Sequence, residues 1–153
     1  ELSRTALETG SFAQTKERIV DFVSERFGLS SCRIFVVDAH GRLTLPSGLS
    51  GHSLEADLRA GRWPVERCVV LRAFTLGEPQ FVADVSLDPD YLSLIPGATS
   101  EFAVPIRLHG KLLGVIDMES SSADSFTDEN RDMLVALATQ IAGAIHLSAS
   151  ARQ

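Results

Sequence analysis

The feature that most constrains the fold is a pair of apolar segments, SEFAVPIRL and KLLGVIDMES, on either side of His109-Gly110. Both segments have the patterning of β-strands that bury at least one face. A glycine in so short a connection favours a tight turn. The sequence therefore predicts an antiparallel hairpin over Ser100–Ser120. Three acids stand near the strand ends, Glu101, Asp117 and Glu119.

Two registers of this hairpin place the acids differently. A two-residue loop, His109-Gly110, would set Asp117 opposite Phe102 and mix apolar and charged groups on each face. A three-residue loop, His109-Gly110-Lys111, gives one wholly apolar face, and such a face fixes the register of a half-buried sheet. We therefore predict the second register. Its apolar face carries Phe102, Val104, Ile106, Leu108, Leu112, Gly114, Ile116 and Met118, and its other face carries Glu101, Ala103, Pro105, Arg107, Leu113, Val115, Asp117 and Glu119.

In this register the three acids gather at one end of the second face, beside a long segment that begins at Asp84. Glu101 is expected across from Glu119, and Asp117 opposite Ala103. Like charges placed in this way repel each other. Either they are solvated at an exposed sheet end, or they converge on a pocket that holds a cation or an ammonium ligand. A divalent metal is disfavoured because no further ligands of defined spacing accompany the acids.

The other segments predict helices packed on this sheet. A helix capped by Ser11 is expected to bury a stripe at helical spacing and to end at Gly28. Further helices are predicted over Val65–Leu76, behind Pro64, and after Thr127. A short helix is also predicted at Ser53–Ala60. The stripe of the first helix comprises Phe12, Thr15, Ile19, Phe22, Val23 and Phe27. The stripe of the last helix comprises Leu134, Leu137, Ala138, Ile141 and Ile145.

Strands alternate with these helices and complete the fold class. They are predicted at Cys32–Val37, which is apolar on both faces, at Arg42–Leu45 and at Phe81–Ala83. Asp84–Ser100 is a long irregular loop, which is uncommon in a compact domain unless it serves a function. The order of elements predicts an α+β fold, an antiparallel sheet with helices packed on it.

Composition and charge limit the classes of function. The chain has 153 residues, 44% of them hydrophobic, and a net charge of −6 without any basic run. We expect a single domain, 1–153, with no nucleic-acid partner and no membrane insertion. Cys32 and Cys68 do not form a CxxC pair, so we expect no metal site, a reduced cytoplasmic protein, and Cys68 as a small buried group. Because the chain opens on Glu1, we expect it to be part of a longer protein.

Four stretches resemble the GAF domains of sensory and regulatory proteins. They are LGEPQFVADVSLDPDY at Leu76–Tyr91, SEFAVPI at Ser100–Ile106, GKLLGVIDMES at Gly110–Ser120, and FTDENRDMLVALATQIAGAI at Phe126–Ile145. The resemblance implies a PAS-like sheet of about six antiparallel strands. It also implies that the terminal helices lie on one face, and that a ligand pocket on the other face is closed by the long loop.

One enzymatic subfamily of GAF domains, the free methionine-(R)-sulfoxide reductases, resembles this chain in part. Its signature looks like Ser100, Glu101, Pro105, Gly114, Val115, Asp117, Glu119 and Ser120 here, with Glu119 in place of an aspartate. In that subfamily the matching acids hold the amine of the substrate. Its chemistry also needs a cysteine nucleophile in the loop before Ser100. Because Asp84–Ser100 contains no cysteine, we predict a protein that is not an enzyme.

Several residues are candidates for contact with a ligand. Tyr91, the only tyrosine, could stack on a ligand or pin the loop, and Trp63, the only tryptophan, could cap the pocket or simply pack. Asp84 could reach a ligand, although capping the first turn of the loop is the simpler role. The candidate ligand-binding set is Glu101, Asp117, Glu119, Tyr91, Asp84, Ala103 and Trp63.

The expected function is that of a non-enzymatic input domain. A small ligand would order the long loop and shift the terminal helices, which would relay the signal to an output domain of histidine kinase or cyclic-di-GMP enzyme type. The ligand and any cofactor are not named by the sequence. Met133, Ala144 and Leu147 widen the apolar surface of the last helix, so a homodimer is expected through them. The alternatives are a structural dimerisation module without a ligand and a reductase-like enzyme.

Overall fold

The computed structural model describes residues 11–44, 67–93 and 95–151. Its helices are α1 (Ser11–Phe27), α2 (Val69–Leu76) and α3 (Asp128–Ala151), and its strands are β1 (Ser31–Val37), β2 (Leu43–Thr44), β3 (Gln80–Val82), β4 (Ser100–Leu108) and β5 (Lys111–Ser120). In these residues the strands form one antiparallel sheet in the order β2-β1-β5-β4-β3. The predicted α+β class is confirmed.

The turn of the central hairpin differs from the prediction. Leu108 pairs with Lys111 across a two-residue turn, in which His109 has φ 52° and Gly110 has φ 81°. Two left-handed residues in succession are the geometry of the tightest hairpins. The predicted three-residue loop, with Leu108 paired to Leu112, is therefore wrong.

A β-bulge nevertheless restores the predicted register toward the other end of the hairpin. Arg107 pairs with Leu112 but Ile106 pairs with Gly114, so Leu113 is the extra residue of β5. Beyond the bulge Glu101 faces Glu119, as predicted. Leu113 packs against the core on the face covered by the terminal helices instead of sharing the face of the acids, and this part of the prediction is wrong. An inserted residue reverses which face the following side chains occupy, which explains both results.

The terminal helices cover one face of the sheet. Val23 and Phe27 of α1 are buried there, and the predicted stripe of α3 joins them. The hairpin supplies the other side of this core with Phe102, Val104, Ile106, Ile116 and Met118. Phe22 is 61% exposed, so its predicted place in the buried stripe is wrong, and the side chain of Phe12 lies outside the described residues. None of the described helices combines the length and the apolar character needed to cross a membrane.

Helix α2 and the loop after β3 cover the opposite face. They pack on Phe35, Ala103 and Val115, which form a second apolar core with residues of α2. The helix begins at Val69, later than predicted, because Cys68 has extended backbone and its Sγ accepts a hydrogen bond from the Leu71 N–H at 3.4 Å. Because both faces of the sheet are covered, the end of the sheet that carries the acids is buried inside the molecule. The predictions for Trp63, Pro64 and Ser53–Ala60 lie outside the described residues.

Candidate ligand site at the end of the central hairpin

The three acids of the hairpin are buried together. Glu101 is 4% exposed, and Asp117 and Glu119 are 1% exposed. One carboxylate oxygen from each lies within 4.8 Å of the others. Residues two apart in a strand share a face, and Glu101 pairs directly with Glu119, so the strands themselves bring these side chains together. The interpretation of the acids as solvated surface groups is wrong.

Arg33 of β1 enters the same cluster and was missed by the sequence analysis. It pairs with Asp117 across β1 and β5 and is almost fully buried. Its Nη1 lies 3.9 Å from Glu119 Oε2 and donates a hydrogen bond of 2.7 Å to Ser31 Oγ. The signal was a single charged residue in a strand read as apolar on both faces. Alternation places Arg33 on the face of Phe35, but the pairing of β1 with β5 was needed to locate it.

The carboxyl groups of Glu101 and Asp117 are joined by a shared hydrogen bond. Burial, and next the charge of Asp117, raise the pKa of Glu101 far above its ordinary value of 4.5. Burial also raises the pKa of Asp117, while the hydrogen bond from Glu101 and the charge of Arg33 oppose that rise. Their mutual hydrogen bond raises the pKa of Glu101 and lowers that of Asp117, as expected when a protonated Glu101 donates to Asp117. Two carboxyl groups this close cannot both ionise in a dry environment without a large repulsion.

Asp117 retains unused hydrogen-bonding capacity. Its Oδ1 is buried and has no hydrogen-bond partner among the residues that the structure describes. A carboxylate oxygen without a donor is costly to bury, because water is lost and nothing replaces it. Such groups are rare in folded proteins and call for a specific explanation. The position of this atom inside the acid cluster makes it a natural acceptor for an N–H group of a ligand.

Tyr91 connects the loop to the cluster. Its hydroxyl donates a hydrogen bond of 2.7 Å to Glu119 Oε1. Burial, and next the charge of Asp117, raise the pKa of Glu119 to about 7, while the Tyr91 hydroxyl and Arg33 oppose the rise. Of the two roles considered for Tyr91, the structure shows pinning of the loop.

Of the remaining residues considered, Ala103 and Cys68 adjoin the acids and Asp84 does not. Ala103 is fully buried and pairs with Asp117 in the sheet. Asp84 is exposed and accepts hydrogen bonds from the N–H and hydroxyl of Ser86, at 3.0 and 2.7 Å. It thereby caps the turn at Val85–Leu87, as expected, and is not part of the acid cluster. Cys68 is buried beside the cluster, and its burial raises the pKa of the thiol to about 11.

The balance of charge describes what this site can accept. When Glu101 is protonated and Glu119 is ionised, which the pKa of about 7 allows from neutral pH upward, the three carboxyl groups and one guanidinium leave an excess of about one negative charge. An ammonium group supplies the missing positive charge and donates several hydrogen bonds at once. A divalent metal would lie next to Arg33 and would require the shared proton to leave, which makes the cluster a poorer metal site.

Comparisons with known proteins agree on the family. The family model described as GAF domain matches residues 10–146. Protein YtsP of Bacillus subtilis (strain 168) is 29% identical over 84 residues, which are 55% of this chain and 52% of that protein. This chain spans about half the length of the curated relatives it matches.

Two solved structures share the fold. The GAF domain of a phosphoenolpyruvate-protein phosphotransferase from Coxiella burnetii has a TM-score of 0.75 at 22% identity, over 91% of this chain and 84% of that one. The free methionine-R-sulfoxide reductase of Neisseria meningitidis, solved with its substrate, has a TM-score of 0.73 at 22% identity, over 97% and 86%. The match to the family model, over residues 10–146, establishes that the chain belongs to the GAF domain family.

Proposed function

We propose that this chain is a cytoplasmic sensory or regulatory domain that binds a small ligand through an ammonium group at the acid cluster. The observation that carries the proposal is the buried Oδ1 of Asp117, to which no residue in the described part of the chain donates a hydrogen bond. The negative charge of the cluster and its position beneath the loop support the same ligand chemistry. An ammonium N–H would satisfy this oxygen and offset the charge of the carboxylates.

Relay of the signal would pass through the sheet to the terminal helices. Glu101 and Asp117 alternate along their strands with Phe102 and Met118, which pack in the core beneath α1 and α3. A ligand that binds one arrangement of the strands more tightly shifts the equilibrium toward it. We propose that the shift reaches an output domain of histidine kinase or cyclic-di-GMP enzyme type, in a homodimer formed through Met133, Ala144 and Leu147 of α3.

A thermal-shift screen of amines, amino acids, methionine sulfoxide, cyclic nucleotides, nitrate and divalent metals tests the ligand class. At 100 times its dissociation constant a ligand adds about 2.7 kcal/mol, which raises the midpoint by several degrees in a domain of this size. We expect hits among amines or amino acids. The double variant Glu101→Gln, Asp117→Asn should lose them while it stays folded.

The matched control is the double variant Glu17→Gln, Asp21→Asn, which makes the same two types of substitution at exposed positions of α1. It should bind the same amines as the wild type. Equal binding by the double variant of the buried acids would refute the proposed site. The absence of a shift in the unfolding midpoint with every compound of the panel would favour a dimerisation module without a ligand.

The second candidate function is reduction of methionine-(R)-sulfoxide, and it rests on the fold shared with the Neisseria meningitidis enzyme. The thiols argue against it, because Cys32 and Cys68 are buried and their burial raises the pKa values to about 12 and 11. A thiol that stays protonated is a poor nucleophile. We expect no turnover of methionine sulfoxide. Turnover that Cys68→Ser abolishes would instead establish the enzyme.

A further inference from the structure

The loop above the acid cluster is anchored by an arginine of α2. Arg72 of α2 donates to both carboxylate oxygens of Asp88, at 3.0 and 2.9 Å, and to Asp90 Oδ2 at 2.9 Å. Its Nε donates to Gln80 Oε1 at 2.9 Å, so one guanidinium joins α2, β3 and the loop. Bidentate pairs of this kind fix geometry as well as adding energy.

This anchored segment carries Tyr91 into the cluster. The Tyr91 N–H donates a hydrogen bond of 3.2 Å to the carbonyl of Asp88, the residue that Arg72 holds. From this position the Tyr91 hydroxyl reaches Glu119. The carboxylates beneath are almost completely buried. A ligand can bind to them only if a group that covers them moves. Among the covering groups, the Tyr91 hydroxyl is a donor that already occupies one of the carboxylates.

We propose, on the basis of the proposed function, that residues 88–91 form a lid whose Tyr91 hydroxyl competes with the ammonium group of the ligand for Glu119, and that Arg72 latches this lid. The ammonium replaces a neutral donor with a charged one, so it binds the open arrangement more tightly. Ligand binding then releases the loop instead of ordering it, contrary to the expectation from the sequence. Apparent affinity is set by the fraction of molecules whose lid is open.

Hydrogen exchange tests the latch without any ligand. In Tyr91→Phe and in Arg72→Met the amides of residues 88 and 90–92 should exchange about tenfold faster than in the wild type, while those of β4 and β5 stay unchanged. The control Arg107→Met makes the same change at an exposed arginine and should leave the segment as it is. Unchanged exchange of residues 88–92 in both variants would overturn the latch.

Methylammonium tests the competition, with tetramethylammonium, which has no N–H donor, as the probe for ionic strength. We expect methylammonium alone to speed exchange of residues 88–92 in the wild type, and to bind Tyr91→Phe about tenfold more tightly. Slower exchange on binding, or weaker binding by Tyr91→Phe, would make Tyr91 a ligand contact and overturn the competition. Binding of methylammonium to both proteins without any effect on the lid would refute the competition and still support the ammonium site. Binding to neither protein would refute both proposals.

Discussion

Replacement of Glu101 by Gln probes the shared proton directly. Glu101 keeps its proton in the folded protein because burial and the neighbouring Asp117 raise its pKa far above the ordinary value of 4.5. Glutamine has nearly the same shape, and its amide can donate to Asp117 as the protonated carboxyl does. The variant therefore preserves the hydrogen bond and removes only the titration.

The sign of the effect follows from the raised pKa. The unfolded chain loses the Glu101 proton near pH 4.5, whereas the folded chain retains it well above neutrality. The contribution of Glu101 to stability is therefore fully present below pH 4.5 and is lost as the pH rises toward the folded pKa. The loss amounts to about 1.4 kcal/mol per pH unit. Between pH 5.5 and 7.5 the wild type should lose about 2.7 kcal/mol that Glu101→Gln keeps.

Urea unfolding at several pH values measures this difference. The free energy of unfolding of Glu101→Gln minus that of the wild type should rise steadily over this range. In thermal unfolding, the midpoint temperatures of the two proteins should diverge by roughly 5 to 10 °C. Glu119, whose pKa is about 7, also titrates in this range. Replacing a protonated Glu101 by neutral glutamine keeps the charge around Glu119 the same, so its contribution should cancel. Glu17→Gln, at an exposed site, should run parallel to the wild type. A pH-independent difference between Glu101→Gln and the wild type would show that Glu101 does not hold the proton.

Three further predictions concern packing, assembly and thiol chemistry. In urea unfolding, Gly114→Ala should destabilise the fold by about 2 kcal/mol or more, because the added Cβ would lie 2.0 Å from a backbone oxygen of β1. Gly143→Ala in α3, where the added Cβ meets open space, should stabilise the fold by roughly 0.5 to 1 kcal/mol. Met133→Glu with Leu147→Glu, at positions that are 38% and 59% exposed, should convert a dimer into monomers by light scattering, and an unchanged mass would exclude this interface. Cys68 should react with a disulfide reagent at pH 8 at least about a hundredfold more slowly than a free thiol, and rapid labelling of the folded protein would contradict its burial.

The hairpin illustrates how far the sequence could predict the fold. Apolar alternation placed Glu101 opposite Glu119 correctly, because a buried face tolerates only one register. The same argument produced the wrong turn, since it assumed regular pairing all the way to His109. A bulge at Leu113 lets the turn and the buried face satisfy different registers. Hydrophobic patterning alone does not reveal a bulge that changes the alternation only near the turn.

The site was predictable in part for a similar reason. Alternation within one hairpin gathers Glu101, Asp117 and Glu119, so the acids could be grouped from sequence. Their burial could not, because it depends on α2 and the loop, which cover the second face. Arg33 and Tyr91 reach the cluster through pairings 84 and 28 residues apart, from Arg33 to Asp117 and from Tyr91 to Glu119. Patterns within a single strand carry no information on contacts that distant.

The buried acids also explain why a ligand could act through this site. Keeping the Glu101 proton at pH 7 costs about 3.4 kcal/mol relative to the ordinary carboxyl, a large share of the stability of a typical domain. A bound cation would stabilise the ionised carboxylates, so part of that cost becomes available as binding energy. The acids lie on strands whose opposite side chains pack against α1 and α3. A charge change on one face of these strands is thus placed where it can alter helix packing on the other.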